Sequence, residues 1–450
     1  MRIVIVGAGK MGIAIVSHVC NENHEVVVID NNSSVIENLI EKYDVMGLCG
    51  SAISYDALKT ANVDRADLFL ALTQSDETNM LSCLIAKKLG AKSTIARVRS
   101  YEYTNQIEMM TDSLEITRTI NPDLESAREI FRIINFPEAL KVDSFAHGNA
   151  DITEFYISED SVLVGMSLMQ IGSKFGASVL VCAVERDKEV IIPNGKFIIK
   201  GNDKIYVISS QEESKAFVSK LGLSKKRLKN IMIIGASRST HYLAEALVKN
   251  NYNVKIIEVN PEKAKDFAET VKGAQVILGD GADQNLLREE GLQNYDAIIC
   301  LTGSDEENII ISLYANKQNV GKIVTKVNKE SFAGLLESIQ MVSVINPQDI
   351  TANQIVSYVR ASSNTGGNNI ITLHKIVNQV EASEFIASPS SKTLNIPLKD
   401  LQLKRDILIG GIIRNHQIII PSGMTSIQER DSVIVVSNGM IINDLDDILA

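Results

Sequence analysis

The sequence predicts an α/β chain written twice, each half a doubly wound parallel-sheet domain followed by a small α+β domain. Three observations predict it. Long stretches recur at a near-constant offset, short apolar runs alternate with helical stretches over the first part of each copy, and closely spaced β runs replace that alternation further along.

The repeat is read directly. "LALTQSDETNMLSCLIAKKLGAKSTIARV" (70–98) returns as "ICLTGSDEENIIISLYANKQNVGKIVTKV" (299–327). Gly7 and Gly235 are 228 residues apart, as are Asp30 and Glu258, and as are "IIPNG" (191–195) and "IIPSG" (419–423). An offset this long is a duplicated pair of domains rather than a solenoid repeat.

Within the first copy, "RIVIVG", "GIAIVSHVCNE", "EVVVID" and "SVIENLIEKY" read strand, helix, strand, helix. The strands are almost uninterrupted apolar runs, as a parallel sheet covered on both faces requires. "INPDLESAREIFRIINFPEAL" predicts a long helix ending near Phe136-Pro137, and "ASVLVCAVER", "VIIPNG" and "DKIYVIS" then supply the β runs of a smaller module. The second copy follows suit. Its break falls in "RASSNTGGNN" (360–369), a Gly-, Ser- and Asn-rich connector, and "KLGLSKKRLKN" (220–230) joins the copies. Four domains are expected: N1 at 1–135, C1 at 136–220, N2 at 229–360 and C2 at 368–450.

Composition narrows the function. A formal charge of −10 without a long basic run argues against a nucleic-acid partner. No segment approaches the roughly 18 apolar residues of a membrane span, and "MRIVIVGAG" enters a strand at once, so a cytoplasmic protein is expected. The five cysteines form no CxxC pair and read as small hydrophobes in a reducing compartment.

The chemistry concentrates in "GAGKMG". Gly7, Gly9 and Gly12 follow a strand and open a helix, the context that makes GxGxxG informative. Gly7 permits the turn, Gly9 lets the backbone approach a pyrophosphate, and Gly12 lets helix and strand pack closely. The free N–H groups and positive dipole end of the helix then favour anionic phosphates. Asp30 ends "EVVVID", where a carboxylate accepts from an adenosine ribose and repels a 2′-phosphate, favouring NAD(H) over NADP(H). "TQSDETN" (73–79) lies at a strand's carboxyl end, where such sheets bind ligands, although Ser75 or Asp76 equally suits a helix N-cap. Arg97 ends the next strand, either facing phosphate or pairing with a surface acid.

In the second copy the loop is "GASRST". Ser237 obstructs the approach that Gly9 allows and Thr240 crowds the helix that Gly12 lets pack, while Ala236 is kept, Glu258 keeps the carboxylate and "GDG" (279–281) offers a flexible turn. That copy either holds a nucleotide in another pose, binds weakly, or serves as a scaffold.

No HExxH, GxSxG, P-loop or CxxC is present, and "YDALK" (55–59) falls too soon after the glycine loop to be a short-chain dehydrogenase pair. Binding outranks catalysis. An NAD-dependent oxidoreductase and a sensor subunit of another cation transporter remain the alternatives.

The N1–C1–N2–C2 order, "GAGKMG…VVVID", "LALTQSDETNMLSCLIAKKLG", "IARVRS" and the "IIPNG/IIPSG" pair resemble the TrkA family, the regulatory subunits of bacterial Trk potassium-uptake systems, built from RCK or KTN domains. The resemblance implies Rossmann-like N domains that bind NAD(H) or the adenine nucleotides ATP and ADP. It also implies a homo-oligomeric ring, placed peripherally on the cytoplasmic face of a separate potassium-translocating membrane subunit. Nucleotide contacts carried over from it fall on Gly7, Ala8, Gly9, Lys10, Met11, Gly12, Asp30, Ser51, Thr73, Gln74 and Arg97. In the second copy they fall on Gly235, Ala236, Ser237, Arg238, Ser239, Glu258, Asp280, Thr302 and Lys326. "GASRST" and Ser51 depart from the family pattern.

Overall fold

The computed structural model describes residues 1–450 apart from 21, 23, 105, 176–177, 223–226, 330–331, 333–335, 337–341, 364–369 and 378. The chain divides into two compact units. The first gathers Met1–Arg128, Ala236–Glu245 and Asn346–Val359; the second gathers Glu129–Gly235, Ala246–Ile345 and Arg360–Ala450.

The sheet of the first unit contains β1 (Arg2–Val6), β2 (Glu25–Asp30), β3 (Met46–Cys49), β4 (Leu68–Ala71), β5 (Ser93–Arg97) and β6 (Arg118–Ile120), in the order β3-β2-β1-β4-β5-β6. Every pairing is parallel. The connecting helices are α1 (Lys10–Val19), α2 (Ser33–Lys42), α3 (Tyr55–Thr60), α4 (Asp76–Leu89), α5 (Tyr101–Thr104) and α6 (Ile107–Ser113), and α7 (Pro122–Asn135) follows the last strand. Ile3, Val4, Ile5, Leu68, Phe69 and Leu70 are fully buried, because helices cover both faces of the central strands. Helix starts follow local chemistry: the Asn32 side chain accepts from Ser34 N and that of Ser75 from Thr78 N. The strand order reverses between β1 and β4, which opens a crevice at their carboxyl ends.

In the second unit, β7 (Lys141–Phe145), β8 (Ala150–Tyr156), β9 (Leu180–Arg186), β10 (Glu189–Ile191) and β11 (Lys204–Ser209) form an antiparallel sheet ordered β10-β9-β11-β8-β7, with α8 (Leu168–Phe175) and α9 (Gln211–Lys220). A second parallel sheet contains β12 (Asn230–Ile234), β13 (Asn253–Glu258), β14 (Ala274–Leu278), β15 (Ala297–Cys300), β16 (Lys322–Lys326) and β17 (Val342–Ile345). Its order, β14-β13-β12-β15-β16-β17, repeats that of the first. The helices of this copy are α10 (Arg238–Lys249), α11 (Pro261–Thr270), α12 (Gln284–Glu289), α13 (Asp305–Lys317) and α14 (Pro347–Ser363). The last sheet contains β18 (Ile370–Val377), β19 (Val380–Ile386), β20 (Ile407–Arg414), β21 (Gln417–Ile419) and β22 (Ser432–Asn438), ordered β18-β19-β22-β20-β21, the counterpart of the first antiparallel sheet.

The duplication extends to individual hydrogen bonds. Arg186 grips buried Asp203 through Nε and Nη2, both at 2.7 Å, and Arg414 grips buried Asp431 at 2.8 and 2.7 Å. Each carboxylate also accepts a backbone N–H three residues before it, from Lys200 and Gln428. The two antiparallel sheets share one core, in which Phe145, Ile152 and Ile208 pack with Ile376, Ile434 and Val436. A Cβ at Gly410 would lie 2.2 Å from Ile208 Cδ1, so the two copies touch there at backbone distance.

One reading of the connectors changes. Helix α14 runs to Ser363, into the stretch expected as a linker, whose remainder (364–369) lies outside the described residues. Residues 223–226 of the 220–230 junction also lie outside them.

Candidate nucleotide-binding site

The first loop assigns a separate task to each glycine. Gly7 has φ +97°, and a Cβ there would sit 2.8 Å from Thr73 N. A Cβ on Gly12 would lie 2.1 Å from the Gly7 carbonyl oxygen, so only glycine lets α1 start this close to β1. Gly9 is the opposite case: a Cβ would meet nothing within 4 Å, and the position faces open space at the helix start. Gly9 supplies no side-chain cap and the first turn of α1 has no acid, so α1 itself brings nothing negative to its start.

The Asp30 carboxylate closes the loop from the next strand. Its Oδ2 accepts Ala8 N–H at 2.7 Å and its Oδ1 accepts Asn32 N–H at 2.9 Å. Each carboxylate oxygen has a second lone pair, so sugar hydroxyls can be added without breaking either bond.

Across the crevice, Asn79 stitches the ends of β4 and β5. Its Oδ1 accepts from Thr73 N (2.8 Å) and Thr73 Oγ1 (2.7 Å), and its Nδ2 donates to Thr73 O (3.1 Å) and Arg97 O (2.9 Å). Arg97 Nη2 donates to Thr73 O at 2.8 Å, and Nη1 lies 4.0 Å from Met11 Sδ. Arg97 thus joins the glycine-loop helix to the β4 edge. Its Nε is buried without a hydrogen-bond partner. Burial, followed by the Arg99 guanidinium, pushes Arg97 down to about 10, against the pull of Asp76 and Asp123. A partly desolvated guanidinium with an unused N–H is what a phosphate oxygen would satisfy. Glycines, carboxylate and guanidinium together fit a dinucleotide.

Gly7, Ala8, Met11, Gly12, Asp30, Thr73 and Arg97 therefore converge. Gly9, Lys10 and Gln74 stand exposed at the rim, where Gln74 O accepts from Arg99 Nη2 at 2.6 Å. Ser51 lies exposed just past β3, its Oγ accepting from Ile53 N at 3.5 Å. The ambiguity at 75–76 resolves into two roles. Ser75 caps α4, and Asp76 Oδ2 accepts from Arg99 N (2.8 Å) and Ser100 N (2.7 Å), fixing the exit of β5. The repeat keeps Asn79 as Asn308, which is more than helix capping requires, and Asn308 Nδ2 likewise donates to Thr302 O and Lys326 O.

The second loop is sealed by its own side chains. Gly235 again has φ +97° and donates to Ile257 O at 2.8 Å. Ser237 N then donates to Thr240 Oγ1 (3.2 Å), Thr240 N donates to Ser237 Oγ (3.2 Å), and the two hydroxyls are 2.9 Å apart. Two backbone donors of this loop are thus engaged by its own hydroxyls. Ala236 is buried and Arg238 exposed, while Ser239 Oγ donates to Asp123 Oδ1 at 2.8 Å within the first unit. Buried Glu258 accepts from Asn260 N at 2.8 Å, and exposed Asp280 accepts from Ala282 N at 2.8 Å. Thr302 N donates to Asn308 Oδ1 at 2.9 Å, and Lys326 Nζ donates to Leu301 O at 3.3 Å. The expected flexible turn at 279–281 is instead close-packed. A Cβ would lie 2.4 Å from Leu286 Cδ2 at Gly279 and 2.1 Å from Ile234 Cγ2 at Gly281.

Comparison with known proteins places this architecture. The TrkA-N domain matches residues 3–122 and 231–347, and the TrkA-C domain matches 152–222 and 382–450. The chain belongs to the TrkA family. This TrkA-family chain is 30% identical over 448 residues, covering 100% of both chains, to the Trk system potassium uptake protein TrkA homolog of Archaeoglobus fulgidus. It is 30% identical over 442 residues to Trk system potassium uptake protein TrkA of Vibrio alginolyticus, covering 97% of this chain and 95% of that one. Among solved structures it shares the fold of the GsuK RCK domain, with TM-score 0.63, 18% identity, and coverage of 97% and 92%. It also shares the fold of the GsuK channel bound to NAD, with TM-score 0.63, 16% identity, and coverage of 97% and 76%. The fold is therefore a tandem pair of RCK domains with Rossmann-like sheets. Among the described residues, no helix is long and apolar enough to cross a membrane.

Proposed function

We propose that this chain is the nucleotide-sensing regulatory subunit of a Trk-type potassium uptake system, acting on a separate potassium-translocating membrane subunit as a ring of identical copies. The supporting observation is the first glycine loop. An open Gly9 and an Asp30 carboxylate already holding Ala8 N–H lie at the strand ends where Arg97 Nη2 is bonded to Thr73 O. NAD(H) is its ligand, with the diphosphate of ATP or ADP as the competing chemistry. Backbone amides of residues 9–12 and Arg97 take the diphosphate, and Asp30 takes the ribose. Ser51, Thr73 and Gln74 border the sugar and base.

The second loop serves as scaffold, because Ser237 and Thr240 satisfy one another. A ligand at the first site controls the membrane subunit only to the extent that it binds one ring conformation more tightly than another. No catalytic step is required for that role.

Calorimetry with NADH, NAD and ATP tests the reading. Binding at about one nucleotide per chain, abolished by Gly9→Glu and indifferent to Ser237→Glu, is expected. Absence of heat with all three nucleotides, or equal loss in both variants, overturns it.

A further inference from the structure

A cavity of about 410 Å³ lies within the second unit, where two connectors pass each other. The end of α7 and the turn after it (residues 134–138), which lead into the first antiparallel sheet, form one wall. Arg227 and Leu228, which lead into β12, form another. Lys215 and Val218 of α9 and Tyr252, just before β13, complete it. The volume falls within the roughly 300–1,000 Å³ of small-molecule sites.

The lining sorts into an apolar floor and a charged rim. Ile134, Phe136, Val218 and Leu228 are all buried. Tyr252 is buried too; its hydroxyl donates to Asn135 Oδ1 at 2.8 Å, and Asn135 Nδ2 donates to Phe131 O at 2.9 Å. Lys215 and Arg227 stand exposed at the rim, and neither forms an ion pair among the described residues. The Arg227 guanidinium carbon lies 5.9 Å from the centroid of the Tyr252 ring, a contact that keeps this cation beside the cavity. Asp151, whose carboxyl feels Lys215, is buried and already accepts from Ser144 Oγ at 2.6 Å. Against Glu138, the one acid of the described lining, the two cations leave an excess of positive charge. Such a lining rejects a cation and offers bare phosphate no use for its floor. Its complement carries one negative head on an apolar body.

We propose that this cavity is a ligand site separate from the glycine loops, taking a small organic monoanion whose head meets Lys215 and Arg227 and whose apolar body covers Val218 and Leu228. A molecule seated there touches α9 and the approaches to β12 and β13 at once, so its occupancy holds the junction between the first antiparallel sheet and the second parallel one.

Anilinonaphthalene sulfonate, a single sulfonate on an aromatic body, is the probe, titrated by fluorescence into the full chain carrying Gly9→Glu so that the first glycine loop takes none of it. Saturable emission at about one probe per chain is expected. Adding Lys215→Gln with Arg227→Gln, both at exposed positions, should weaken it at least tenfold without moving the melting temperature. Octanoate should displace the probe, whereas octylammonium, the same chain with the opposite charge, should not. Unchanged affinity in the Lys215–Arg227 variant overturns the proposal, as does equal displacement by the two octyl compounds or displacement by inorganic phosphate as effective as by octanoate. NADH calorimetry on that variant with Gly9 restored keeps the two sites apart. Unaltered NADH affinity is expected, and a parallel loss overturns the separateness of the cavity; failure of the unaltered chain to bind NADH concerns the glycine loop alone.

Discussion

Alanine at Gly9 and alanine at Gly12 should separate ligand approach from packing. At Gly9 the backbone is extended (φ −70°, ψ −174°) and a Cβ meets nothing within 4 Å, so the side chain fits the free protein. Loss of a glycine N-cap costs up to about 1 kcal/mol, and the stiffer unfolded chain returns about 0.4–1 kcal/mol. The melting temperature should therefore move by no more than about 2 °C. The same methyl group projects where a diphosphate would lie against the amides. NADH affinity should fall ten- to a hundredfold, which is about 1.4–2.8 kcal/mol. At Gly12, real Cβ contacts essentially never fall under 3.0 Å and this one would be 2.1 Å from Gly7 O, so helix and loop must part by at least the difference, about 0.9 Å. Both partners are backbone, and a loss of about 1–3 kcal/mol is expected along with the lost affinity. Scanning calorimetry and titration calorimetry on the pair decide. Wild-type NADH affinity in Gly9→Ala would refute the idea that the diphosphate approaches that amide.

Further outcomes follow from other parts of the chain. Ser237→Gly with Thr240→Gly frees the backbone donors of the second loop; titration stoichiometry should rise from about one toward two nucleotides per chain, and an unchanged value shows that something other than this hydroxyl pair closes the loop. Asp203→Asn and Asp431→Asn each strand a guanidinium, so equal losses of about 3 kcal/mol in denaturant midpoints are expected from the matching geometries. Burial, opposed by Lys204 and Lys141, pushes the Glu154 carboxyl up to about 7. Because the native state then holds a proton that the unfolded state releases near 4.5, stability should fall as pH rises from about 4.5 to 7, by up to about 3 kcal/mol. Glu154→Gln should flatten that part of the urea-derived stability profile, and an unaltered slope assigns it to other groups.

The sheet architecture was legible because buried parallel strands leave unbroken apolar runs and because the chain states its design twice. The tasks of Gly7 and Gly12 were legible for a similar reason: each follows from a loop geometry with few solutions. What escaped depends on neighbours distant in sequence. Nothing local in "GASRST" announces that Ser237 and Thr240 bond to each other rather than merely lack glycine. Asn79 reads as an ordinary helix residue until β4 and β5 are side by side. The close packing of Gly279 and Gly281 against Leu286 and Ile234 likewise appears only when the sheet is assembled.

The common interior of the two antiparallel sheets has a consequence for how such a polypeptide can change over generations. With Ile208 of the earlier copy lodged against the backbone of Gly410 in the later one, a gene split between the copies would yield two products that each expose half of an oily interface. Drift in one copy must be answered in the other at these contacts.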